Sequence, residues 1–141
     1  MKKVMITLIF IFILVACTNE NIDKKHLAYV EDFEWTIKSF ISSEQVTIRE
    51  MMPETREAHK VANITFLESF IGKELTKTSY QLNEIDLGGE HVKAYIYEYE
   101  GEIVGAKGGT SAFPGMFNLA DKSVLVESEE MKRMKKELYG E

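Results

Sequence analysis

Three tyrosines alternate along one stretch of the chain, with basic side chains beside them. Tyr95, Tyr97 and Tyr99 occupy every second position, and His91 and Lys93 continue the alternation toward the amino terminus. Successive side chains of a β-strand point to opposite faces, so this spacing places all five on one face of a strand. Aromatic rings with polar tips can stack on a sugar or hold an extended peptide. We predict a ligand-binding face here; the alternative is that the rings only pack beneath a helix or loop.

Ser111 is a candidate nucleophile, but it lacks the sequence around it that such chemistry needs. It has no G-x-S-x-G frame, and His91 and Asp86 lie too far away in sequence to be assigned to it without a structure. The segment GAKGGTS from Gly105 resembles a phosphate-binding loop, yet it lacks the adjacent G-K-[ST] sequence. We interpret its glycines as hairpin and turn positions.

The remaining titratable residues give no pattern typical of a metal or acid–base site. The three histidines, His26, His59 and His91, lie far apart and show no H-x-x-x-H or H-E-x-x-H spacing. Glu98 and Glu100 flank a turn, where a solvated rim is expected in place of a catalytic carboxylate pair. The sequence therefore predicts no metal, no cofactor and no catalytic residue.

The amino terminus has the pattern of an export signal that ends in a modified cysteine. Lys2 and Lys3 precede an apolar run of about 13 residues, too short for a spanning helix of roughly 20. The run ends in Leu-Val-Ala-Cys, residues 14–17, which resembles the lipobox of bacterial lipoproteins. That resemblance implies cleavage before Cys17 and a diacylglycerol on its sulfur, which suffices for stable anchoring. We expect attachment to the extracytoplasmic face of the cell membrane.

These features divide the chain into four predicted segments: a signal peptide (1–16), a tether (17–25), a domain (26–126) and a C-terminal helix (127–141). Loss of Lys2 and Lys3 leaves 15 basic against 23 acidic residues, a net charge of about −8. This sign disfavours nucleic acid as a partner, since its backbone demands basic side chains. With its only cysteine committed to lipid, the domain must fold without disulfides.

Hydrophobic spacing predicts two helices before a run of strands. A first helix spans 23–33, and a second starts at Pro53, places Val61, Ile64, Leu67 and Ile71 on one side and stops at Gly72. Between them, 35–37 and 46–48 are predicted as short strands separated by a break at 42–44. A longer first helix, continuing to residue 41, fits the same residues.

The second half of the sequence predicts an antiparallel meander. A strand over 76–82, a turn at Gly88-Gly89, a strand over 91–99, a hairpin turn at Glu100-Gly101 and a strand over 103–107 follow one another. The segment 108–119 is predicted as a loop that folds back onto the sheet through Phe113, Met116 and Phe117. Residues 127–138 have the apolar stripe of a helix.

The stretch 33–119 resembles a small domain-of-unknown-function family of secreted and lipid-anchored proteins of Gram-positive bacteria. The resemblance is clearest in YEGEIVGAKGGTSAFPGMFNL from Tyr99, although Ala106-Lys107 separates Gly105 from Gly108-Gly109 and Pro114-Gly115 precedes the methionine. It implies a fold and no activity. The other matching pieces are Trp35 and Ile37, Val46 and Ile48, Gly72-Lys73, and Met116-Phe117.

Together these patterns predict an α+β domain, an antiparallel meander packed by two or three helices. The favoured hypothesis is a non-catalytic binding or accessory protein whose partner is a protein, a peptide or a wall component. A small cell-envelope enzyme and a structural or immunity-type interaction protein are the alternatives. A pocket enclosing Ser111, His91 or paired carboxylates would favour the enzyme, and a flat, exposed tyrosine face would favour the binding protein.

Overall fold

Five antiparallel strands, in the order of the sequence, form one sheet in this computed structural model, which describes residues 21–112, 115–122, 133, 136, 137 and 140. The predicted α+β class with an antiparallel meander is confirmed, although strand outweighs helix. The strands are β1 (Ile37–Thr47), β2 (Glu74–Ile85), β3 (His91–Tyr99), β4 (Glu102–Gly109) and β5 (Met116–Asn118). The helices are α1 (Lys24–Asp32), α2 (Pro53–Val61) and a 3₁₀ helix (Thr65–Phe70).

The turns of the meander follow the predicted glycines. Tyr99 pairs with Glu102, so β3 and β4 are joined by only two residues, Glu100 and Gly101. Their φ angles are 50° and 80°, the pair of positive values that a type I′ hairpin turn requires. Gly89, with φ 85°, serves the turn between β2 and β3. The hairpin predictions are confirmed at both turns.

Strand β1 differs from both predictions made for its sequence. It is one continuous strand of 11 residues, with neither a break at 42–44 nor a helix to residue 41. Register shifts interrupt its pairing with β2 between Ile37 and Ser39 and between Phe40 and Ser42. A bulge adds a residue to one strand, so side chains three positions apart can share a face. This is why Ile37 and Phe40, both packed in one core cluster, mimic helical spacing.

Helix α1 covers one face of the sheet, which we call the α1 face. The Asp23 side chain caps the helix by accepting a hydrogen bond from the Lys25 backbone N–H at 2.7 Å. The helix therefore begins at Lys24, inside the predicted tether, and the prediction of a helix over 23–33 is confirmed. Val30 belongs to the same buried core cluster as Val92, Ala94 and Ile96 of β3.

Trp35, which precedes β1, contacts β5 and the residue that follows it. Its indole is 1% exposed, packs against the ring of Phe117 at 5.7 Å, and donates a hydrogen bond to the Leu119 carbonyl at 2.6 Å. Phe117 thus folds back onto the sheet, as predicted, but on the α1 face. Phe113 lies outside the described residues.

The second predicted helix is broken. Helix α2 ends at Val61, Asn63 takes a positive φ of 55°, and the chain resumes as the 3₁₀ helix. The predicted apolar stripe is therefore wrong at its first and last members, because Val61 is 81% exposed and Ile71 is 39% exposed. Leu67 is buried in a second core cluster with Ile48, Leu75 and Tyr97, on the sheet face opposite α1.

Glycines of the GAKGG segment are strand positions, which corrects their assignment to turns. Strand β4 continues to Gly109, where a loop had been predicted, and β5 pairs with its last three residues. A Cβ on Gly105 would lie 2.6 Å from the Phe66 ring, and one on Gly108 would lie 2.1 Å from the ring of Phe117. Both distances are too short for a real Cβ. Because Gly105 and Gly108 have no side chain, the ring of Phe66 can cover the strand on one face and the ring of Phe117 on the other.

Several predictions fall on residues outside those described. They include the signal peptide, Cys17 and most of the C-terminal helix, of which Arg133, Lys136 and Glu137 have helical backbone. Within the described part of the chain, no helix has the length and apolar character needed to cross a membrane.

Candidate functional site

A half-open groove of about 360 Å³ crosses strands β2 to β5 on the face opposite α1. Four of the five residues predicted to bind a ligand line it. We call it the lysine–tyrosine groove and define it by six side chains: Lys77, His91, Lys93, Tyr95, Tyr97 and Lys107. Its volume lies in the lower part of the range of small-molecule sites, roughly 300 to 1,000 Å³. Glu90, residues 108–111 and Gly115-Met116 complete the lining.

Strand register brings the lysines of three strands onto the tyrosine face. Lys77 of β2 is the partner of Tyr97, and Lys107 of β4 is the partner of Tyr95. Each ammonium then lies over the diagonal ring, Lys77 at 5.8 Å from Tyr95 and Lys107 at 5.7 Å from Tyr97. Such distances are typical of cation–π contacts. At the far end of β3, Lys73 lies 5.8 Å from the ring of Tyr99.

The tyrosine rings are partly covered, so the predicted face is not a flat exposed surface. Tyr97 is 4% exposed and packs edge-on against Phe66, while Tyr99 packs against Phe70. The covering rings come from the 3₁₀ helix, whereas Phe117 lies on the α1 face. Tyr99 is not among the residues that line the groove. With lysines and phenylalanines on the rings, little ring face remains for stacking on a sugar.

Positive charge dominates the groove. It is lined by three lysines and by one carboxylate, that of Glu90. Lys77 has a counterion in Glu44 at 2.7 Å, whereas neither Lys93 nor Lys107 forms an ion pair within the described part of the chain. Burial lowers the pKa of Lys107, and the nearby charge of Lys77 lowers it further. The repulsion between the Lys107 and Lys77 ammonium groups lowers the free energy of unfolding.

Phenol groups add hydrogen-bond donors to these amines. Burial is the main cause that raises the pKa of Tyr97 to about 12, and the negative charges of Glu44 and of an ionised Tyr95 act in the same direction. Its hydroxyl therefore keeps its proton near neutral pH and can donate it to an acceptor. The groove presents ammonium and hydroxyl donors, a combination suited to anionic oxygen atoms.

Comparison with known proteins adds nothing to this geometry. No protein-family model, no curated protein and no solved structure matches the chain. The resemblance to a domain-of-unknown-function family therefore stays a prediction.

Asp86 builds one end of the groove by joining two loops. Its Oδ1 accepts hydrogen bonds from the backbone N–H groups of Gly88 and Glu90 at 2.8 and 3.0 Å. Its Oδ2 accepts from the Ser111 N–H at 2.6 Å and from the Ser111 hydroxyl at 2.8 Å. Burial alone would raise the pKa of Asp86, but the bonds from Ser111, Glu90 and Gly88 outweigh it and lower the pKa. The carboxylate is thus a structural clamp at neutral pH.

The structure brings Ser111, Asp86 and His91 to the same end of the groove, but not as a catalytic triad. The Ser111 hydroxyl donates to the Asp86 carboxylate, and His91 Nε2 accepts from the Lys38 ammonium at 2.6 Å. A serine nucleophile needs a histidine that accepts its proton, with the carboxylate behind the histidine. Here the serine is held by a carboxylate of lowered pKa, which is a weak base.

A second polar cluster, which the sequence did not indicate, lies on the α1 face. His26 is 2% exposed, and its Nδ1 lies 2.8 Å from the Tyr80 hydroxyl while its Nε2 lies 3.1 Å from Glu98. The Tyr80 hydroxyl can donate to Nδ1, while Nε2 faces the Glu98 carboxylate without an aligned hydrogen bond. Lys25 completes the cluster by an ion pair with Glu98. These contacts fix α1 to the sheet.

No set of three His, Cys, Asp or Glu side chains is placed to hold a metal ion among the described residues. His59 is buried on α2. Its burial and the charge of Lys107 lower its pKa, against the opposing effect of Glu68. The three histidines thus lie in three separate environments.

Proposed function

We propose that this chain is a lipid-anchored protein of the extracytoplasmic face of the cell membrane, and that its domain binds an envelope component without catalysing a reaction. The anchor rests on the export signal and on Cys17 at its end. The binding role rests on the lysine–tyrosine groove. That groove is the observation that carries the proposal, since packing alone does not require several lysines to converge on one concave surface.

The partner chemistry follows from what the groove offers. Covered rings disfavour sugar stacking, and a surplus of ammonium groups favours an anionic ligand. Among the partners considered from the sequence, a protein, a peptide or a wall component, we favour an anionic wall component. A chain tethered at the membrane surface would meet such material directly.

The test is co-sedimentation of the full-length protein, in neutral detergent, with purified wall material of its own host. Met116→Trp places a large ring in the groove lining without changing charge, at a half-buried strand position that tolerates aromatic residues. Met52→Trp is the matched control, because Met52 is 68% exposed and does not line the groove. We expect wild type and Met52→Trp to sediment with the wall and Met116→Trp to stay in solution. Equal sedimentation of all three would contradict the proposal.

The anchor has its own test. Mass spectrometry of the protein purified from its host should show a chain that begins at Cys17 and carries a diacylglycerol mass. Cys17→Ala should leave the membrane fraction. An intact amino terminus or an unmodified sulfur would refute the lipid anchor, but it would not bear on the binding role of the groove.

A small cell-envelope hydrolase is the second candidate, and one observation favours it: Ser111 and His91 line the same groove. The hydrogen bonds of both side chains argue against it. Turnover of wall fragments that is abolished by Ser111→Ala, with the variant still folded, would establish the enzyme and overturn the non-catalytic proposal.

A further inference from the structure

We propose that the lysine–tyrosine groove is a binding site for the phosphate group of a soluble or wall-attached polyol or sugar phosphate, held by Lys77, Lys93 and Lys107. This inference rests on the proposed function, because it names the ligand class of the same groove. Residues of three different strands supply the three amines, so the site exists only in the folded sheet.

Two of the three lysines in the groove carry a charge that no carboxylate in the described part of the chain compensates. Among the described residues, no carboxylate forms an ion pair with Lys107 or Lys93, and the one that lines the groove is Glu90. Lys107 lies over the ring of Tyr97, which is itself buried. A half-buried ammonium with a second ammonium nearby opposes folding. A bound anion would compensate the repulsion between the ammonium groups. The lysine cluster is therefore explained if the groove is an anion-binding site.

The groups in the groove suit a phosphate better than a carboxylate. A phosphate monoester carries about −1.5 to −2 charges at neutral pH and three acceptor oxygens, so it can meet several ammonium groups together. A carboxylate carries one charge, and its two oxygens match the planar fork of arginine. The described groove contains lysines and no arginine. The Tyr97 hydroxyl, kept protonated, adds a donor for an ester or hydroxyl oxygen.

The groove is large enough for an organic phosphate. A groove of about 360 Å³ exceeds what a bare oxyanion needs and accommodates the small organic group that carries it. Thr110 and Ser111 also line the groove. Their hydroxyls donate to the Ala112 carbonyl and to Asp86, so each oxygen can still accept a hydrogen bond from a polyol hydroxyl.

The experiment titrates the full-length protein, in neutral detergent at constant ionic strength, with glycerol 3-phosphate, inorganic phosphate and acetate. The readout is the midpoint of thermal unfolding, which rises when a ligand binds the folded state alone. We expect both phosphate compounds to raise it at concentrations at least tenfold below those at which acetate acts. Equal effects of acetate and phosphate would overturn the assignment to phosphate.

Lysine variants locate the site. Lys107→Met should weaken the phosphate response at least tenfold, and Lys107→Arg should retain most of it. Lys60→Met, on the exposed side of α2, should change it less than twofold. Without phosphate, Lys107→Met should unfold at the same or a higher temperature than wild type, because it removes an uncompensated charge. A Lys107→Met protein that is less stable than wild type yet keeps its phosphate response would show that the lysine only supports the fold.

Two further outcomes separate this inference from the proposed function and from lipid headgroups. In the first outcome, Met116→Trp abolishes wall binding, but neither glycerol 3-phosphate nor inorganic phosphate competes with the wall. That result would overturn the phosphate assignment and leave the binding role intact. Stabilisation by phosphatidylglycerol added to the micelles, with no response to glycerol 3-phosphate, would also overturn it, since the groove would then take a membrane headgroup.

Discussion

The Asp86 clamp allows a prediction whose size follows from its hydrogen bonds. Asp86 is 6% exposed and accepts four hydrogen bonds, three from backbone N–H groups and one from the Ser111 hydroxyl. Asp86→Ala leaves all four donors without this acceptor. A hydrogen bond contributes about 1 kcal/mol net, and more when one partner is charged, but donors near the surface recover water. We expect a loss of about 3 kcal/mol in the free energy of unfolding.

Two milder changes dissect the clamp. Asp86→Asn has one acceptor oxygen, so its amide NH₂ must face at least one backbone N–H, and we expect a loss of about 2 kcal/mol. Ser111→Ala removes only the hydroxyl bond at 2.8 Å and should lose about 1 kcal/mol. Asp32→Asn, at an exposed position on α1, is the control and should stay within about 0.5 kcal/mol.

Urea unfolding followed by fluorescence measures these differences, because the only tryptophan, Trp35, is buried in the core. The folded-state pKa of Asp86 lies below its ordinary 3.8. Its contribution is therefore fully present at pH 7 and is lost as the pH falls below 3.8 through that lowered pKa. The gap between wild type and Asp86→Asn should narrow at pH 3. An Asp86→Asn variant as stable as wild type at pH 7, or a gap that widens in acid, would refute the clamp.

Three further predictions concern the fold around the groove, each measured by circular dichroism during urea unfolding. Gly108→Ala should lower the free energy of unfolding by about 2 to 4 kcal/mol, because a Cβ would lie 2.1 Å from the Phe117 ring. A Phe117→Leu background should reduce that loss, and an equal loss in both backgrounds would contradict the contact. Trp35→Phe should lose about 2 to 3 kcal/mol through a cavity and the orphaned Leu119 carbonyl; a loss under about 1 kcal/mol would contradict this contact. Asp23→Ala should lose about 1 kcal/mol by uncapping α1, and Asp23→Ser should restore most of it.

Local signals were sufficient for the elements whose structure depends on neighbouring residues. The strand 91–99 was predicted from strict alternation, and the turn at Glu100-Gly101 from a glycine that takes a φ of 80°. Strand β1 could not be predicted because its bulges depend on β2, which is distant in sequence. The break after α2 depends on Asn63 adopting a positive φ, which no spacing of apolar residues reveals.

The candidate site was predicted only in its β3 part. Alternation identified Tyr95 and Tyr97, but Lys77 and Lys107 join them through the register of β2 and β4, which sequence spacing does not determine. The glycines of β4 were interpreted as turn residues because they leave no alternation of polar and apolar side chains along the strand. They leave space for the rings of Phe66 and Phe117, which the sequence does not reveal. Likewise, the contacts of His26 with Tyr80 and Glu98 span more than 50 positions of sequence.

NMR chemical shifts can show directly whether the lysine–tyrosine groove binds the wall. The full-length protein in detergent micelles is titrated with soluble fragments of the host wall. We expect shift changes centred on Lys77, Lys93 and Lys107 and on the backbone of Gly109, all on one face of the sheet. Changes centred on the α1 face around His26, or none at saturating fragment, would contradict it.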